Sequence, residues 1–407
     1  MVSTDRAPLP IPPIGRRAGH WTVPDDGLAS RSARLRGSGA YEAALPARLA
    51  GEEPLGLVLP ADLAADVADA EQALTVFDAH ALARLGGESP ALGPMSAILL
   101  RTESASSSQI EDLTVGARQL ALAELDESRS ANARAVVANV RTMEAALRLA
   151  DALDLDAVLA MHTELLRPAP DAGHLRRQLV WVGRSGRSPR GAVHIAPEAE
   201  DVAAAMDDLV AFLAREDLPI LLHAAIAHAQ FETIHPFSDG NGRTGRALVH
   251  ALLTGKGLMS TTAPVSAGLL TDLEAYTDAL TAFRRGDARP IVEEFARAAR
   301  FAAVTGTRLV DDLSSQLEAD RERLAGIRRH ALAWRILPLL VGQPIVSAAH
   351  LRDRLEAPSM SVQRALAQLA EVGVLQEATG RSRNRVWQHR GILAVLDDYA
   401  EQVRRRG

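Results

Sequence analysis

The stretch "HPFSDGNGRTGR", residues 235–246, puts a histidine, a carboxylate, three glycines, an asparagine and two arginines into twelve residues. Glycine lets a backbone approach a ligand closely and adopt positive φ. Successive backbone N–H groups in such a turn form an anion-binding nest. The turn leads into "GRTGRALVHALLTGKGL", a helical pattern, and a helix N-terminus carries about half a positive charge. Arg243 and Arg246 lie three apart, on one face near that start. Two cations there repel each other and weaken the helix N-terminus unless an anion sits between them, and the arginine fork suits a polyphosphate. A lone carboxylate beside phosphates, Asp239, is the usual anchor for Mg²⁺. His235 ends the preceding apolar run next to Pro236, where an imidazole can take a proton from a hydroxyl near neutral pH. Phe237 is expected to turn inward and anchor the loop. No "GxxxxGK[ST]" and no "HExxH" occur, so a P-loop and a zincin are excluded.

The rest of the composition fits a mostly helical chain. At 407 residues the chain exceeds the ~250–300 at which single cores stop growing. Hydrophobic residues make up 47% and aromatics only 3%, so the packing is aliphatic and rich in alanine, the best helix former. The absence of cysteine removes disulfides, thiolate metal sites and cysteine nucleophiles together. The N-terminus has no apolar signal region, and "LPILLHAAIAHAQF" is too short for a bilayer, so the expected location is cytoplasmic with no membrane partner.

Residues 1–40, rich in Pro, Gly and Arg, read as an N-terminal arm. Residues 41–125 read as a helical region, 126–300 as the domain that holds the 235–246 loop and 301–330 as a connecting helix. Within 126–300 "QLVWV" and "AVHI" alternate around "GRSGRSPRG", which predicts a hairpin over 178–197 with a basic tip. Residues 331–407 read as three helices followed by a two-stranded wing, a winged helix-turn-helix arrangement. This segment carries a net +4 in a chain of net −6, which would favour DNA. Gln363, Arg364 and Gln368 on the third helix and Arg381, Arg383 and Arg385 in the wing are the candidate contacts. Arg404, Arg405 and Arg406 read as a solvated tail.

The run 235–246 matches H-x-F-x-[DE]-G-N-G-R-x-x-R at every specified position and resembles the signature of the Fic (filamentation-induced-by-cAMP) family. The resemblance extends over about residues 41–300, taking in "LAMHTELLR" and "LEAYTDALTAFRRGD". It implies an all-α fold, a Fic helical bundle with a small β-hairpin flap, and a winged helix is a common appendage of the family. The implied activity moves AMP from ATP to a Ser, Thr or Tyr hydroxyl of a target protein, with Mg²⁺ as cofactor. Carried over, His235 is the general base and Asp239 holds the metal. Gly240, Asn241, Gly242, Arg243, Thr244, Gly245 and Arg246 bind the nucleotide, and Tyr276 lines its site. The hairpin would align the target by strand addition.

"SSSQIED", residues 106–112, resembles the family's inhibitory motif [ST]-x-x-x-E-[GN] through Ser107 and Glu111, with Asp112 in place of Gly or Asn. The resemblance implies that Glu111 engages Arg246 and occupies the γ-phosphate's place. On a continuous helix Asp112 lies about 100° round from Glu111, so it is not expected to share the arginine. The same glutamate could instead position a water and favour removal of AMP. Such brakes can also act between subunits, so a homodimer is compatible. The reading from a different class is a winged-helix DNA-binding regulator with a nucleotide-sensing Fic domain.

Overall fold

In a computed structural model, the described residues are 6–25, 30–51, 55–84, 94–183, 186–378 and 385–406. The chain begins with β1 (Gly15–Trp21), α1 (Arg31–Gly37) and β2 (Gly39–Leu45), followed by the helices α2 (Ala61–Arg84), α3 (Pro94–Gln109), α4 (Ala117–Ala123), α5 (Ala131–Arg148) and α6 (Leu155–Leu166). The short strands β3 (Trp181–Val182) and β4 (His194–Ile195) precede α7 (Ala199–Leu213), α8 (Ile220–Ile234), α9 (Asn241–Gly255), α10 (Val265–Leu270), α11 (Leu273–Arg284) and the long α12 (Arg289–Arg323). The C-terminal part comprises α13 (Leu332–Gly342), β5 (Ile345–Ser347), α14 (Ala348–Leu355), α15 (Ser359–Glu371), β6 (Gln376–Glu377), β7 (Val386–Gln388) and α16 (Arg390–Arg406). The fold is all-α with small antiparallel sheets. No helix among the described residues is long and apolar enough to cross a membrane.

Two compact units divide the chain, and the division falls inside α2, α5, α11 and α12 and just after α9. The first comprises residues 1–71, 142–256 and 274–296. Its centre is α8, in which every residue from Leu221 to Ile234 is buried. A helix buried on every side belongs inside a core, and its polar side chains His223, His228, Gln230, Glu232 and Thr233 are buried with it. Helix α9 packs closely on it at Gly245, where a Cβ would stand 2.8 Å from Phe231 Cδ1. The stretch that reads as an arm contains β1, paired in antiparallel register with β2 from Gly15↔Leu45 to Trp21↔Gly39. Its strand character comes from a partner across the intervening α1, a non-local pairing that composition does not reveal. The 178–197 hairpin is shorter than its apolar pattern suggests, with only Trp181↔Ile195 and Val182↔His194 in register. Residues 184 and 185 at its tip lie outside the description.

The second unit comprises residues 72–141, 257–273 and 297–407. The serine run of α3 is buried, with Ser104, Ser107 and Ser108 fully covered. Ser104 and Ser108 donate to carbonyls one turn back, and Asn139 Nδ2 donates to Ser104 O at 2.9 Å. Buried hydroxyls satisfied in this way let neighbouring helices come close without orphaned polar atoms. Helix α3 ends at Gln109, so Glu111 and Asp112 lie in the turn beyond it and not 100° apart on one helix. Asp112 has φ 61°, the left-handed conformation that favours Gly or Asn at a helix end. In the C-terminal part α13, α14 and α15 precede β6 and β7, and the sheet order is β5-β7-β6. Arg381 and Arg383 lie outside the described residues, and Arg385 pairs with Glu377. Arg404 and Arg405 continue the helix α16.

Candidate functional site

The site grows from the end of α8. His235 caps that helix in the left-handed conformation (φ 51°, ψ 61°), its N–H bonded to Phe231 O at 2.8 Å, and Pro236 cannot continue the helix. A non-glycine residue in that region needs outside support. Arg176 provides it: Nε donates to His235 O at 2.8 Å, Nη1 to Gln178 O at 2.8 Å and Nη2 to Pro197 O at 2.7 Å. One buried guanidinium thus ties both ends of the hairpin to the histidine's backbone. Burial pulls that guanidinium down to about 10, with the Glu198 carboxylate opposing the shift in part.

The loop is closed by its own side chains. Asn241 brackets Phe237, accepting its N–H on Oδ1 at 2.9 Å and donating from Nδ2 to its carbonyl at 2.9 Å. The fully buried Phe237 ring stacks on His162, with centroids 3.7 Å apart and planes within 4°. His162 accepts Gly173 N–H on Nδ1 at 2.9 Å, so its proton is on Nε2, which donates to Asp239 O at 3.1 Å. Burial lowers the His162 pKa and keeps the ring neutral in this role. Ser238 donates to Asp171.

Asp239 remains open, its side chain 69% exposed, and Oδ1 accepts Gly240 N–H at 2.7 Å and lies 3.5 Å from Arg243 Nη2. Gly240 caps α9 at φ 76°, and a Cβ there would meet Leu165 Cδ2 at 2.7 Å. The first turn of α9 holds no acidic residue. Arg243 and Arg246 are both buried near it, so two cations reinforce the helix's positive end. The structure therefore assembles His235, Asp239, Gly240, Asn241, Gly242, Arg243 and Arg246 around one loop. Thr244 and Gly245 pack inward, Gly245 against Phe231. Tyr276 also turns inward, its hydroxyl 2.7 Å from His228 Nε2 in the core. Glu111 belongs to the other unit.

Four residues at the site were not singled out by the motif. Arg176 and His162 hold the loop from outside it. Glu232 is buried and Arg284 half-buried beside it, with Arg284 Nη2 donating to Glu232 O at 3.2 Å. Burial opposes charge on Glu232. The neighbouring His235, 3.6 Å away, and the positive charge of Arg246 nonetheless pull its carboxyl well below the usual range. A carboxylate three positions before the histidine in "FETIHPF" is the one local signal that could have marked it.

The hairpin is braced on both faces. His194 Nε2 donates to Thr233 O at 2.8 Å, and burial takes that imidazole down to about 2. At its tip Ser188 Oγ donates to Gly37 O at 2.6 Å and Trp21 Nε1 to Arg187 O at 3.0 Å. Val182 and Val193 remain exposed on its surface.

A buried helix end bearing a histidine is followed by a glycine turn and an arginine-rich helix start. Residues 152–253 match the model of the Fic/DOC family. It is similar to the protein adenylyltransferase fic-1 of Caenorhabditis elegans, 32% identical over 151 residues, or 36% of this chain and 27% of that protein. It is also similar to the protein adenylyltransferase Fic of Nematostella vectensis, 30% identical over 157 residues, 37% of this chain and 33% of the relative. The chain thus spans about a third or less of these relatives' length. The crystal structure of a Fic family protein from Desulfovibrio desulfuricans G20 shares the fold, with a TM-score of 0.51 at 23% identity over 83% of this chain and 98% of that one.

Proposed function

We propose that the chain transfers AMP from ATP to a Ser, Thr or Tyr hydroxyl of a target protein. The observation that carries this reading is the closed loop itself. A partly exposed imidazole stands at one end of a turn whose other end is a helix N-terminus backed by two buried arginines. The hydroxyl oxygen bonds to the α-phosphorus, its proton passes to His235, and the bond to the bridging oxygen breaks as pyrophosphate leaves. Arg243 and Arg246, with the N-terminus of α9, stabilise charge on the phosphates. The exposed Asp239 suits Mg²⁺, which takes one or two carboxylates and completes its shell with phosphate oxygens and water. When bound, the metal would neutralise the departing pyrophosphate.

The brake rests on the motif resemblance of Ser107 and Glu111: Glu111 restrains Arg246, and the resting activity is low. The test incubates the Glu111→Gly protein with labelled ATP and Mg²⁺. Label should appear on protein and fall by roughly 10²–10⁴ on His235→Ala, the usual contribution of a general base. Label that survives His235→Ala, or a folded Glu111→Gly protein that labels nothing, refutes the reading. Equal labelling by the wild type and Glu111→Gly removes the brake alone.

A further inference from the structure

Three buried histidines of this unit are held in one tautomer by carbonyl acceptors. His162 donates from Nε2 to Asp239 O, His194 to Thr233 O and His223 to Phe212 O, at 3.1, 2.8 and 2.9 Å. A carbonyl only accepts, so each ring carries its proton on Nε2.

His235 is arranged the other way round. Its Nδ1 is buried and has no hydrogen-bond partner among the described residues, while the side chain as a whole is 18% exposed. The accessible part of the ring is therefore not Nδ1. Facing Nδ1 at 3.6 Å is Glu232 Oε2, one turn back on α8. The carboxylate is itself buried, and Glu232 Oε1 lacks a hydrogen-bond partner among the described residues. The charged and titratable groups around Glu232 are His228, His235, Arg246 and Arg284; burial pushes His228 down to about 4, so it is the two arginines with His235 that favour the ionised carboxylate. An ionised carboxylate is acceptor-only, so a ring nitrogen held against it carries a proton. Arg176, bonded to His235 O, limits how far the histidine's backbone can turn away.

We propose that Glu232 is a positioning residue for the transfer, one that holds His235 with its proton on Nδ1 and leaves Nε2 as the nitrogen that accepts the hydroxyl proton. This inference rests on the function proposed above. As the hydroxyl oxygen attacks the α-phosphorus, its proton moves to Nε2 and the ring becomes an imidazolium. Glu232 stays ionised and balances that charge, and pyrophosphate departs with the electron pair of the broken bond. A base oriented by a third group follows the logic of a hydrolytic triad. The 3.6 Å gap is of the loose kind that closes in a substrate complex.

The test has two arms. In ¹⁵N-histidine-labelled wild-type protein at neutral pH, long-range ¹H–¹⁵N correlations should show His235 protonated on Nδ1. His162, His194 and His223 should be protonated on Nε2 and serve as internal references, with His235 assigned by its loss in His235→Ala. A neutral His235 protonated on Nε2 overturns the proposal, and this arm needs neither activity nor a Glu232 variant that folds. In the second arm Glu232→Gln is placed in the Glu111→Gly parent. There kcat should fall about 10- to 100-fold while KM for ATP changes less than about twofold, because the nucleotide contacts are untouched. An unchanged kcat, or a loss expressed mainly in KM for ATP, overturns the proposal. A parent that labels no protein refutes the transfer reading instead and leaves the tautomer result to stand on its own.

Discussion

Arg176 Nε donates to His235 O at 2.8 Å, and the same guanidinium donates to Gln178 O and Pro197 O, so one side chain sets both the histidine's left-handed backbone and the base of the hairpin. Lysine is a point charge and cannot reproduce a fork that reaches carbonyls on three segments. Arg176→Lys should leave buried carbonyls unmet at about 1–3 kcal/mol each in the worst case, with a net loss of about 3 kcal/mol. In the Glu111→Gly background its transfer rate should fall about tenfold or more. Urea unfolding and initial rates check both, and unchanged values in the two assays would refute the bracing role.

Asn241 closes the loop by bracketing the peptide groups of Phe237. Asn241→Asp keeps an acceptor for Phe237 N–H but places a carboxylate oxygen against Phe237 O. It should cost about 1–2 kcal/mol, and Asn241→Ala somewhat more, because two buried backbone groups then lose partners. Thermal denaturation measures the difference between the two variants, and Asp as stable as the wild type would contradict it.

The same left-handed backbone predicts opposite signs at two positions. Gly240 sits at φ 76° with Leu165 Cδ2 where a Cβ would go, so Gly240→Ala should destabilise by about 1–3 kcal/mol and weaken nucleotide binding. Asp112 sits at φ 61° without being glycine, so Asp112→Gly should stabilise the protein by a few tenths to about 1 kcal/mol. Equilibrium unfolding of the pair is the check. A stabilising Gly240→Ala or a destabilising Asp112→Gly would contradict the backbone argument.

Acid should loosen the protein through its buried histidines. Burial depresses His194 to about 2 and His223 to about 4. A depressed folded-state pKa means that the unfolded chain binds protons first. The stability contributed by the neutral rings is fully present above the unfolded value of 6.5 and is lost as pH falls from there toward the folded pKa. Each ring removes up to ~1.4 kcal/mol per pH unit, so His223 alone accounts for roughly 3 kcal/mol by the time its folded pKa is reached. Urea midpoints should drop steeply below neutrality. His194→Gln, which can still donate to Thr233 O, should flatten that slope by about one proton. A slope unchanged by His194→Gln would count against a neutral His194.

The loop at 235–246 is legible in the sequence because its determinants are local. Gly240 is needed where φ is positive, Pro236 ends α8, and two arginines at a helix start want an anion. The helices are legible for the same reason, since an apolar period of 3.6 is a property of neighbours along the chain. Strand β1 is not, because its ladder is completed by residues Gly39–Leu45 beyond an intervening helix. Nor is the end of α3. The run "SSSQIED" has no glycine or proline to stop a helix, and its termination at Gln109 depends on Leu113 N–H reaching back to Ser108 O at 3.1 Å and on Asn139 Nδ2 donating to Ser104 O and Ser108 Oγ.

By itself the sequence determined that a histidine, a carboxylate and an anion cradle lie together, because twelve consecutive residues cannot be far apart. The tertiary structure alone decided how those groups are held. Arg176 lies 59 positions from His235 and His162 lies 77 from Asp239, yet each bonds to that residue's backbone carbonyl. The physical reason is that a tautomer, a buried charge and a left-handed residue are all set by which acceptor or donor faces them across the core, and that choice is made only when the helices pack.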